Sequence, residues 1–172
     1  MRLVKNMFLF LLIVGIIYFM FVILTPTAID TQYEGYVYQL GSNEANGEKV
    51  TIEIKGELQG SIFTNKQFAG SLTIDGKQIP SHNAVEDTVT LELEESLGGL
   101  LVYSEQQGRS YNIIQYGELH QNGEFEEIVI KKFSEDNGWN GEDGMIIAAP
   151  ASNKAQALNV ANDILSPSNP LE

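Results

Sequence analysis

The residues best placed to do chemistry lie in one polar loop, residues 134–144, which read SEDNGWNGEDG. Hard cations such as calcium take about six to eight oxygen ligands, often from a flexible loop. Asp136, Asn140, Glu142 and Asp143 are the candidate metal ligands, with Glu135 and Asn137 beside them. The spacing is not that of the helical calcium loop, which alternates acids before a glycine and a distal Glu. Two Asn-Gly pairs suit a plain solvated loop equally well. Trp139, the one tryptophan of the chain, sits at the centre of this loop. On an exposed loop it would anchor a partner or a sugar ring; folded back, it would plug a sheet edge.

A second group depends on strand register. A two-residue turn at Asn122-Gly123 would pair Gln121 with Glu124 and bring Glu118 opposite Glu127, with His120 on the same face. Like charges directly opposite are unfavourable. Either a metal held by Glu118, His120 and Glu127 relieves the conflict, or a longer loop or bulge shifts the register by one. The shift needs no ligand and is the preferred reading. The other histidine, His82, follows Pro80-Ser81 in a turn-like stretch.

No serine stands in a Gly-x-Ser-x-Gly turn, and no His-Glu-x-x-His helix is present. Glu92, Glu94 and Glu95 read as the wet side of a strand. Gly98-Gly99 lacks the Gly-Lys-Ser/Thr and helix start of a phosphate loop. The expectation is therefore a protein that is not an enzyme and carries no cofactor other than calcium at the 134–144 loop.

These side chains need a scaffold, and the scaffold reads as β-structure. Val50, Ile52 and Ile54 alternate with Thr51, Glu53 and Lys55, the period of a half-buried strand. Phe68, Gly70, Leu72 and Ile74 repeat it, as do Val89, Leu91 and Leu93. Residues 34–40, 100–103, 111–116, 125–133 and 145–148 supply further strands. Asn46-Gly47, Asp75-Gly76 and Asn122-Gly123 accept the positive φ of tight hairpins, and Gly98-Gly99 and Gln107-Gly108 mark further reversals. Strands at this spacing predict an antiparallel β-sandwich or barrel-like domain over 34–149. After Pro150, Ser152 caps a helix near 153–165, within a 150–166 segment packed on or beside the domain. Ala155, Leu158, Ala161 and Leu165 share its face, with Val160 and Ile164 alongside, while Lys154 and Asn159 face water. Residues 167–172 read as a loose tail, and 26–33 as a tether.

Residues 7–24 carry no charge and would cover about 27 Å as a helix, close to the ~30 Å of a bilayer core. Arg2 and Lys5 precede the run, placing residues 1–6 in the cytoplasm. The expectation is a transmembrane anchor over 7–25, a signal-anchor in a single-pass cell-membrane protein whose C-terminal domain is extracytoplasmic. A cleaved signal peptide fits less well: its apolar core would be shorter, and a cut after Ala28 would place Pro26 where a small residue is wanted. Cysteine is absent, which excludes disulfides, thiolate metal sites and lipid attachment through cysteine. The net charge is −13, and every acid follows the apolar run. Such a surface repels nucleic acid, which is excluded as a partner; the expected partners are the membrane, through residues 7–25, and a membrane or cell-surface protein.

The stretch 50–80 reads VTIEIKGELQGSIFTNKQFAGSLTIDGKQIP. With the apolar run before it, this resembles small membrane-anchored β-domain proteins of Gram-positive bacteria. The shared positions are Ile54, Gly56 and Leu58, then Phe68, Gly70, Leu72, Ile74, Asp75 and Gly76. The resemblance implies a β-domain held at the cell surface and brings no functional residues with it. The function expected from the whole reading is a non-enzymatic binding or assembly module. The alternative is a cation- or carbohydrate-binding surface domain using the 134–144 loop.

Overall fold

The computed structural model describes residues 2–42, 47–59, 66–93, 98–122, 125–134, 138–165 and 171. Helix α1 (Arg2–Leu24) precedes nine strands: β1 (Thr27–Gln39), β2 (Glu48–Gln59), β3 (Lys66–Ile74), β4 (Lys77–Ile79), β5 (Val89–Leu93), β6 (Gly99–Gln107), β7 (Ser110–Asn122), β8 (Glu127–Lys132) and β9 (Met145–Ala149). Helix α2 (Lys154–Leu165) follows. The strands form one antiparallel sheet in the order β4-β3-β2-β1-β9-β8-β7-β6, with β5 on β3.

The sheet curls around the apolar sides of β2, β3 and β5 and the buried parts of the other strands. Val50, Ile52, Ile54 and Leu58 of β2, Phe68, Leu72 and Ile74 of β3, and Val89, Leu91 and Leu93 of β5 are buried together with Leu101, Leu119, Ile128, Ile130 and Ile147. Burying one face of a sheet without a second sheet requires that face to become concave. The β4–β5 connection brings the far ends together. Ala84 bridges Glu105, and the Val85 N–H donates to the Ser104 carbonyl at 2.8 Å. The result is a curled half-barrel, not two stacked sheets.

The paired motif of β2 and β3 shows how tightly the concave side is packed. Ile54 faces Leu72, Gly56 faces Gly70 and Leu58 faces Phe68. A Cβ on Gly70 would come 2.5 Å from Phe68 Cζ, and one on Gly56 would come 2.8 Å from Phe68 Cε2. The Phe68 ring thus occupies the space two glycines leave, and it meets Phe125 with ring centroids 4.8 Å apart. Asp75 and Gly76 have φ of 49° and 74°, the two positive values a type I′ hairpin requires.

The convex side is covered by α2. Tyr38, Leu40, Val129, Ile146, Ala148 and Ala151 pack beneath Ala157, Val160 and Ala161. Alanines at the contact let the helix sit close to the sheet. The buried stripe is rotated from the expected one: Ala155 is exposed and Ala157 is buried. Asn153, not Ser152, is the N-cap, its Oδ1 accepting from the Gln156 N–H at 3.0 Å, while the Ser152 N–H donates back to Gln156 Oε1 at 2.8 Å.

Two expectations are corrected. Residues 27–33 are not a tether: they are the first half of β1, with Thr27 facing Leu58 and Tyr33 facing Ile52. The transmembrane helix, and with it the signal-anchor, the single-pass topology and the cell-membrane localisation, is also overturned. Among the described residues, no helix is long and apolar enough to cross a membrane. The side chains from Met7 to Phe21 stand largely exposed.

Candidate functional site

The loop between β7 and β8 decides which polar groups meet. Asn122 pairs with Glu127, so residues 123–126 form the connection instead of a two-residue turn. Phe125 within it has φ of 66° and is fully buried against the concave core, and Tyr33 Oη donates to its carbonyl at 2.7 Å. With this register Glu118 faces Lys131 and His120 faces Val129. The like-charge conflict does not arise. Glu127 instead accepts from Asn122 Nδ2 at 2.6 Å.

Three polar side chains follow one another on the convex side, ending at Trp139. His120 Nε2 lies 3.1 Å from Glu118 Oε2, an ion-pair distance without hydrogen-bond alignment. Lys131 Nζ lies 3.2 Å from the same oxygen and 5.3 Å from the centre of the Trp139 ring. Burial, with the Lys131 charge, holds the His120 imidazole below its ordinary value against the pull of Glu118. Burial by itself would raise the Glu118 carboxyl, but His120 and Lys131 together hold it below the usual carboxylate range. Only 8 % of His120 is exposed. Sequence reasoning missed Lys131, whose role follows only from the length of the 123–126 connection.

The polar loop of the sequence folds back along the end of the sheet. Trp139 is half-buried on the convex core, and its Nε1–H donates to the Met145 carbonyl at 3.2 Å. A Cβ on Gly144 would come 2.4 Å from that nitrogen, so glycine there admits the indole. Of the candidate metal ligands, Asp136 lies outside the described residues. Asn140 Oδ1 accepts from the Glu142 N–H at 2.9 Å, closing the loop on itself, and Glu142 and Asp143 are exposed. Among the described residues, no three His, Asp or Glu side chains are grouped to hold a metal. Glu92 accepts from Gln67 at the exposed edge, His82 sits in an exposed turn, and Glu94 and Glu95 lie outside the described residues.

What the loop does build is an open groove of about 650 Å³. Its floor is a row set by register, Gln39 beside Met145 and Met145 beside Lys132. Phe133, Ser134 and Trp139 form its flank. Lys132, Asp143 and Met145 are exposed there, giving the groove one cation, one carboxylate and an apolar side chain.

In comparisons with known proteins, no family model, no curated protein and no solved structure matches the chain.

Proposed function

We propose that this domain is a non-enzymatic binding module that receives a segment of a protein partner in the groove at the Lys132–Met145 end of the sheet. The observation that carries this reading is the groove itself: a half-buried tryptophan and an exposed methionine beside one lysine, held on paired strands. Aromatic and methionine side chains dominate contact surfaces, and Lys132 favours a partner segment with an acidic group. His120, Glu118 and Lys131 serve a different purpose, as a charge cluster on the convex side of β7 and β8. The test is charge reversal. Lys132→Glu should lower recovery of the bound partner at least about tenfold, the scale of losing one good contact, with an unchanged melting temperature. Lys55→Glu, on exposed β2, should leave recovery intact. Equal recovery with both variants would refute the groove as the contact.

A further inference from the structure

The β6–β7 hairpin runs on past the rest of the sheet. β8 stops pairing with β7 at Gly117, which faces Lys132, and the Phe133 N–H makes one more bond, to the Tyr116 carbonyl at 3.0 Å. Residues 110–115 of β7 are paired with β6, and among the described residues no strand pairs with their other edge. The register shift between Leu101 and Val102 leaves Tyr116 as the extra residue, and such a bulge bends a strand away from its sheet. Side chains on the projecting part are bare: Tyr111 is 68 % and Ile113 is 64 % exposed, on the same side of the strand.

Natural edges are blunted by charge, proline or covering segments. Residues 110–116, SYNIIQY, hold no charge, no proline and no glycine. A short segment of this kind, β-forming and neutral, is the type that pairs with another strand. The strand that fits must be extended, uncharged and apolar at alternate positions, and β7 itself meets all three demands. Two copies of a chain with net charge −13 repel, and an uncharged strand adds nothing to that repulsion where it meets its copy. Antiparallel pairing of a strand with its own copy is two-fold symmetric, so one patch serves both partners.

We infer that the free edge of β7, residues 110–115, pairs with the same edge of a second copy of this chain, joining two half-barrels into a continuous sheet across a two-fold axis. Tyr111 and Ile113 of both copies then lie on one side of the joined sheet, within contact of each other across the axis. The pairing stands on the β7 edge alone, so loss of the partner at Lys132 would leave it untouched.

The experiment uses the full chain in a mild detergent that covers the apolar side chains of α1. Light scattering should give twice the chain mass for the wild type. The double variant Tyr111→Lys with Ile113→Lys should give the single-chain mass with an unchanged melting temperature, because both side chains are exposed. The chain has no cysteine, so an introduced one has no competitor. Ile113→Cys should be joined into a covalent dimer by a short bismaleimide, and Lys55→Cys should not. A single-chain mass for the wild type, a dimer that survives the double variant, or equal cross-linking at both cysteines would each overturn the proposal.

Discussion

Single residues in this protein are held by unusually specific neighbours, and three give sharp expectations. Gly70 faces Gly56 across β2 and β3 with the Phe68 ring over both. A Cβ at Gly70 would lie 2.3 Å from the Lys55 carbonyl oxygen and 2.5 Å from the Phe68 ring, so Gly70→Ala must shift the β2–β3 pairing as well as the ring and should destabilise the fold by at least about 2–3 kcal/mol, the range of an overpacked core, measured by denaturant unfolding. Tyr38 carries a buried hydroxyl without a partner among the described residues, and burial raises its pKa well above the ordinary tyrosine value. Tyr38→Phe removes that unsatisfied group and should be neutral or stabilise by up to about 1 kcal/mol; a loss above that would mean the hydroxyl has a partner. His120 is the pH-sensitive residue. Its folded pKa is depressed, so the unfolded chain binds the proton more readily. Its contribution is complete above the unfolded histidine value of roughly 6.5 and is lost as pH falls from there through the folded value. Glu118, also depressed, adds a second loss below the ordinary glutamate range. Between pH 7 and 5 the melting temperature of His120→Gln should therefore fall less than that of the wild type.

At the scale of elements, legibility tracked the strength of the side-chain period. β2, β3 and β5 alternate without interruption, and the residues that alternation marks, from Val50 to Leu93, are the ones buried. The first half of β1 was hidden because TAIDTQY places only Ile29 in the core. The clash of Glu118 with Glu127 made a longer β7–β8 connection legible but not its size: a shift by one was expected, whereas with Phe125 buried in the connection Glu118 faces Lys131, four residues past Glu127. A bulky residue with φ of 66° is a conformation sequence rules weigh against. That one difference decides the polar group, since it exchanges Glu127 for Lys131 opposite Glu118. The indole shows the same dependence: nothing in SEDNGWNGEDG reveals that the Met145 carbonyl receives Trp139. Trp139→Ala should cost roughly 2 kcal/mol, below the 3–5 of a fully buried aromatic, so the side chain is part of the convex core before it is part of any contact. An unchanged unfolding midpoint would contradict that placement.

The molecule as a whole is an acidic half-barrel with a helix on its convex side and two features at one end, the groove floored by Lys132 and Met145 and the uncovered strand beyond it. Neither was legible in the sequence, because both exist only where β8 stops and β7 continues. The net charge was legible, and it has a consequence for assembly. Salt screens repulsion between exposed like charges, so the mass measured for dilute full-length chain should shift toward the dimer as salt is raised, whereas contacts made by opposite charges would shift the other way. The most direct test of the account is a photo-crosslinking scan with a reactive residue placed in turn at 39, 132 and 145 and, as controls, at 55 and 67. The account predicts one shared protein adduct from the three groove positions and none from the two controls. The same adduct from all five positions, or from the controls alone, would contradict it.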